Sequence, residues 1–208
     1  DRPFWSQTAS RGRQTRSRLD WLLTDHLSMN VGNIISIENL YDNYRRWILN
    51  ERPFVSVVPE LEAITSSAFV EERLFEQDKN DALGDFERFA NAFDVSTAMP
   101  LVLYLATEAN LGGQLKDALS ILKSYILRRD TCGLTTKNYN KQFVGLNPKM
   151  REATLDQVDF LRESLSERSS DIDRWPDDEE WKTAWMNRDQ YGTARQPRLN
   201  YLFEVIEK

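Results

Sequence analysis

The fold turns on Ser96–Asn110, STAMPLVLYLATEAN. From Met99 to Ala106 every residue is apolar or tyrosine, with no polar face at either the helical or the strand period. A helix that is apolar all round is covered on every side by other elements. At about two turns it is far short of the ~20 residues that span a bilayer. Ser96 or Thr97 can cap it, Pro100 fits only near its first turn, and Asn110 with Gly112-Gly113 ends it. The stretch therefore predicts a short central helix, around which the rest of the chain must supply amphipathic partners.

Those partners are legible on both sides. Leu115, Ala118, Leu119, Leu122, Tyr125 and Ile126 form a clear helical stripe that runs directly into Arg128-Arg129. Upstream, the stripes are Leu19/Leu22/Leu23/Leu27, then Leu40/Tyr41/Tyr44/Trp47/Ile48 behind Ser36. Leu61/Ile64/Ala68/Phe69 follows Pro59, and then comes Leu83/Phe86/Phe89/Ala90/Phe93, whose start Gly84 weakens. Downstream come Tyr139/Phe143, Leu155/Val158/Leu161/Leu165, Trp181/Trp185 behind an acidic capping pair Asp177/Glu180, and Leu199/Leu202/Phe203/Ile206. The strand-like exception is PFVSVV at 53–58, flanked by prolines and too short to found a sheet. The expectation is an all-α, irregular domain of about ten helices around an apolar central one. It spans 1–208 as a single unit, or as two lobes, 1–95 and 96–208. Core positions are Leu101, Leu105, Leu119, Leu122 and Ile126.

Composition narrows the chemistry. The 208 residues are 40% hydrophobic and 29% charged, enough apolar content for a core and too much for disorder. One cysteine, Cys132, excludes an internal disulfide and fits a reducing cytoplasm. One histidine, His26, cannot build a Cys/His zinc site with it, and reads as a partly buried helix residue. Neither phosphate-cradling glycine motif occurs. No cofactor is expected. The chain starts at Asp1 rather than Met and stops at Lys208 while a helical pattern is still running, so a piece of a longer protein is expected.

The net charge is −6, which argues against non-specific nucleic-acid affinity. Within residues 121–151, however, seven bases face one acid, and this local basic corner admits two readings. As a joint, Arg128 and Arg129 meet the negative end of a helix dipole, Gly133 closes the helix in the left-handed conformation, and Thr135 or Thr136 caps the next one. The helix should then end between Arg128 and Cys132, and at least one arginine should be tied down. As a contact surface, Arg128, Arg129, Lys137 and Lys141 would point outward to DNA phosphates or to neighbouring domains. Elsewhere, Arg11, Arg13, Arg16 and Arg18 read as a solvated lead-in rather than a nucleic-acid contact. Trp175, Trp181 and Trp185 read as packing rather than base stacking, and the acids at 177–180 as a helix start rather than a metal site.

Three stretches together resemble a known family: FWSQTASRGRQTRSRLDWLLTDHLSM (4–29), LKSYILRRDTCGLTTKNYNKQFVGL (122–146) and RWPDDEEWKTAW (174–185). They are similar, in the same order, to the helical middle region of GmrSD-type prokaryotic defence proteins. Those are modification-dependent restriction enzymes pairing a ParB-like nucleotidase with an HNH nuclease. The family's catalytic residues lie outside this region, so none can be placed here. The resemblance implies a cytoplasmic, non-catalytic spacer or coupling domain without its own cofactor. Its partners would be the flanking nucleotidase and nuclease domains, and DNA, with no membrane. The alternative from a different class is a helical protein–protein interaction module with no nucleic-acid role.

Overall fold

A computed structural model describes residues 2–167, 170–189 and 196–207. Arg168 and Ser169, in the expected polar loop before Trp175, and Lys208, at the end of the last helical stripe, lie outside the described residues. Helix accounts for 72% of the structure and strand for 4%, which makes the chain all-α.

The central helix is present. Here α1 is Arg2–Ser6, α2 Arg18–Val31, α3 Leu40–Arg46, α4 Val57–Glu76, α5 Ala82–Phe93 and α6 Met99–Thr107. The series continues with α7 Leu115–Thr131, α8 Tyr139–Val144, α9 Leu146–Glu152, α10 Gln157–Ser166, α11 Asp178–Asn187 and α12 Gln196–Ile206. Every residue of α6 from Met99 to Leu105 is buried, and α2, α4, α7, α8 and α9 pack around it. All five expected core positions, Leu101, Leu105, Leu119, Leu122 and Ile126, are at most 1% exposed. Pro100 sits in the first turn, where it removes no helical hydrogen bond. The expected Ser96 or Thr97 side-chain cap is not made: a 3-10 turn over Ser96–Ala98 runs straight into α6, so no extended residue stands there to cap it. Ser36 likewise begins a 3-10 turn, Ile37–Asn39, without a side-chain bond.

One cluster of buried residues extends from Met29 to Leu165, drawing on segments before and after residue 95. The Asn147 amide donates to the main-chain oxygens of Met29 (3.4 Å) and Pro100 (3.3 Å), so the Asn147-Pro148 break is an interior tie. Asp81 caps α5 by accepting from Gly84 N at 3.2 Å. Gly84 does more than weaken that helix start: a Cβ there would lie 2.5 Å from the main chain of Asp78, so only glycine lets the preceding turn close against α5. At the other end α12 folds back on α5, where Tyr201 meets the rings of Phe89 and Phe93 and Glu204 pairs with Arg88.

The strand-like stretch at 53–58 forms no strand. Pro53–Ser56 is non-helical, and Val57 and Val58 open α4, whose first turn accommodates Pro59. The strands are instead β1 (Thr8–Arg11) and β2 (Gln14–Ser17), an antiparallel hairpin with Ser10 opposite Thr15 and Arg11 opposite Gln14. It turns at Gly12-Arg13 and leads directly into α2, which Ser17 caps by accepting from Asp20 N at 3.1 Å. Residues 8–17 are thus a docked hairpin in which Arg11 is interior, with Arg18 half-buried just after it, while Arg13 and Arg16 are solvated as expected.

Candidate functional site: the basic corner and a buried arginine cluster

At the basic corner α7 ends at Thr131, inside the expected interval. Gly133 N donates to Asp130 O (2.9 Å) and Leu134 N to Arg129 O (2.9 Å), the paired bonds of a Schellman closure, with Gly133 at φ 68°. The next helix, α8, begins at Tyr139, three residues later than expected, after a turn in which Tyr139 N donates to Thr136 O at 3.1 Å. Thr135 contributes locally by accepting from Lys137 N (3.3 Å), and α8 has no side-chain cap.

Arg129 has no exposed surface. Its Nη1 donates to Arg174 O (2.6 Å), and its Nη2 to Thr135 O (2.7 Å), Ile172 O (2.8 Å) and Asp171 O (3.4 Å). The guanidinium lies 5.5 Å from the ring centre of Tyr125 and 5.7 Å from that of Tyr139. A buried cation needs compensation, and here main-chain carbonyl dipoles and two aromatic faces provide it. Tyr125 adds a hydroxyl bond to Asp173 O at 2.6 Å. Together these contacts strap residues 171–174 across the end of α7.

Arg128 is half-buried and committed to the same strap. It donates to Pro176 O (3.2 Å), pairs with Asp178 Oδ1 (2.5 Å) and lies over Trp181. The Arg128 guanidinium holds the Asp178 carboxyl below its ordinary range. The neighbouring acids are engaged too. Asp177 caps α11 by accepting from Glu180 N (2.8 Å), Glu179 meets Lys182, and Glu180 binds Arg174 through both oxygens. Among the described residues no group of three or more His, Cys, Asp or Glu side chains is placed to hold a metal ion.

The four candidate contact residues therefore do not form one outward face. Lys137 and Lys141 are exposed, Arg128 is paired and Arg129 is interior. Trp175 packs edge-on against Tyr125, and Trp181 lies beside Trp185. Cys132 is half-buried, and burial pushes its thiol above the usual value, away from the reactive thiolate.

Four charged residues, of which only Arg11 stands out in the sequence, meet inside the molecule. Arg11 from β1 bonds Asp25 of α2 through Nη1 and Glu71 of α4 through Nη2 (3.0 Å), and its Nε lies 4.0 Å from Glu87 of α5. All four are at most 6% exposed. Burial would lower the arginine, but Glu71, Asp25 and Glu87 outweigh it and hold it above its normal value. Burial pushes Asp25 well above the carboxylate range, with Arg11 opposing and Glu71 reinforcing. Burial raises Glu87 in the same way, again opposed by Arg11. The sequence carried a signal for one of them: Glu87 falls on the apolar stripe Leu83/Phe86/Ala90, whereas Asp25 and Glu71 lie beside Trp21 and Met29 of α2 and Val70 and Leu74 of α4, off the stripes that the spacing suggests. Arg11 and Asp25 also line a cleft of about 300 Å³ with Gln14, Trp21 and Ser96.

His26 is fully buried rather than partly buried. Its Nδ1 lies 2.8 Å from Ser67 Oγ, and burial pushes the imidazole down to about 4. A serine–histidine contact can generate a nucleophile, but Ser67 is only 1% exposed, so this pair bridges α2 and α4 out of reach of any substrate. Comparison of the chain with protein-family models, with curated proteins and with solved structures finds no match.

Proposed function

We propose that this chain is a non-catalytic, all-α coupling body of a GmrSD-like, NTP-dependent DNA restriction protein, set between the nucleotidase and nuclease domains. The observation that carries this reading is the strap at the basic corner. Arg129 is wholly interior and Arg128 is paired, so the most basic segment of the chain is used to weld α7, the 171–178 segment and α11 into one piece. A rigid helical piece of this kind can pass a displacement from one end to the other, which is what coupling requires; lying between two sites does not by itself create it. The residue types best suited to chemistry, His26, Arg11 and the acids at 177–180, are likewise engaged in internal contacts.

The test uses the purified chain and the Arg128→Ala/Arg129→Ala variant. The chain should neither hydrolyse nucleoside triphosphates nor cut duplex DNA in magnesium; an activity abolished by a point substitution within it would refute the reading. The double variant should melt at a lower temperature while any duplex binding keeps its salt dependence. A salt slope reduced by about two phosphate contacts, with unchanged melting, would instead assign the corner to DNA.

A second reading, a helical protein–protein interaction module, is favoured by a separate observation. Val55, Val57, Val58, Leu61 and Phe69, at and along α4, are between 56% and 99% exposed. Sequencing the coding region on both sides decides between them. A nucleotidase upstream and paired histidines downstream support the first reading, and a start codon immediately before Asp1 supports the second.

A further inference from the structure

The Arg11 cluster holds one cation and three carboxyl groups, so full ionisation would leave two uncompensated negative charges in the interior. Glu71 Oε1 and Glu87 Oε2 have no protein donor. Among the described residues Arg11 is the one cation within ion-pair distance of the three carboxyl groups, and retaining protons is the least costly relief of the excess. Few other charged or polar groups face the cluster from the packed elements. Arg18 of α2 stacks on Phe4 and Phe75, Asn91 of α5 donates to Glu87 Oε1 at 3.4 Å, and the Asp94 carboxylate lies against Gly12 at the hairpin tip. His26 of α2 is engaged with Ser67.

The hairpin is the lid of this cluster. Arg11 reaches in from β1, lying over Trp21 and Phe75 at 5.3 and 5.2 Å, while Trp21 Nε1 donates to Ala9 O at 2.9 Å. Lifting β1–β2 would open Asp25, Glu71 and Glu87 to water, where ionised carboxylates are hydrated. Asp25 lines the adjoining cleft, which gives protons a route in and out.

We propose that these four residues form a proton-dependent latch: the hairpin Thr8–Ser17 stays closed on α2, α4 and α5 while Asp25 and Glu87 retain protons, and opens as they ionise. The closed form binds more protons than the open form. The opening constant should therefore rise with pH, by up to about tenfold per pH unit for each proton released.

Trypsin cleavage after Arg11 reads the latch directly, because that side chain must leave the interior to enter a protease. In an Arg13→Gln/Arg16→Gln background, with both positions exposed, the Arg11–Gly12 bond is followed between pH 5 and 9. Rates are normalised to a peptide of residues 4–20 carrying the same substitutions. The normalised rate should climb with pH, while cleavage after the buried Arg129 stays slow. Glu87→Gln, or Asp25→Asn if the first fails to fold, should flatten the climb by about tenfold per pH unit over the window in which that carboxyl titrates. A rate independent of pH, an equally steep climb in the amide variant, or parallel cleavage after Arg129, which would mean global unfolding, each overturns the proposal.

Discussion

Nη1 of Arg129 donates a 2.6 Å hydrogen bond to the main-chain oxygen of Arg174, 45 positions further along the chain. One side chain thus joins the end of α7 to the segment that introduces α11. It does so from a position with no solvent access. Arg129→Ala should cost about 3 kcal/mol or more, since it leaves several buried carbonyls without a donor and opens space between two tyrosines. Arg129→Lys keeps the charge but loses the fork that reaches Thr135 and Arg174 at once, and should still cost about 1–3 kcal/mol. Urea denaturation measures both. A lysine variant as stable as the parent would show that charge, not geometry, holds the strap.

Gly133 is the second test of the same joint. Its φ of 68° strains any residue with a Cβ, and a Cβ would also fall 1.8 Å from Nη1 of Arg188. The arginine is exposed at the surface and can swing away, so the backbone term should dominate. Gly133→Ala is expected to cost about 1–2 kcal/mol, with little recovered when Arg188→Ala is added. Large recovery in the double variant would assign the cost to the collision instead.

The central helix makes a third prediction. Leu105 is 1% exposed on α6, and Leu105→Ala should cost on the order of 2–5 kcal/mol by opening a cavity. Phe69→Ala, at 65% exposure on α4, should change stability by only about 0.5 kcal/mol. Equal effects in thermal unfolding would contradict the assignment of α6 as the centre.

His26 and the Arg11 cluster pull stability in opposite directions with pH. The imidazole, lowered from 6.5 to about 4, binds fewer protons in the folded chain than in the unfolded one. Its contribution is complete above pH 6.5 and is lost as pH falls towards 4, amounting to roughly 3 kcal/mol at most. Asp25 and Glu87, both raised, contribute the reverse: stability present near their ordinary values of 3.8 and 4.5 is lost as pH rises through the folded values. The His26 ring signals in NMR should report a neutral imidazole down to about pH 5. A midpoint near 6.5 in the folded protein would remove the His26 side of this balance.

The sequence alone determined the class of the fold, the central place of Met99–Leu105, the core face of α7 and the closure of the basic corner at Gly133. Each depends on spacing within one or two turns, so the information is local: a period, a proline in a first turn, a glycine after a last one. Local reading failed where a pattern had two uses. PFVSVV has strand propensity, but Pro59 suits a helical first turn and its last valines open α4. Thr8–Ser17 reads as polar text, yet it forms the hairpin.

Tertiary structure decided the state of the charged groups. Arg11 and Arg13 stand two residues apart on one hairpin, and one is interior while the other is exposed. Arg128 and Arg129 are adjacent, and one pairs with a surface carboxylate while the other is sealed among carbonyls. The partners of Arg11 lie 14 and 60 positions away, and those of Arg129 up to 45. Whether a guanidinium faces water or the core depends on whether such distant groups arrive to offset its desolvation. Only the packed chain brings them there.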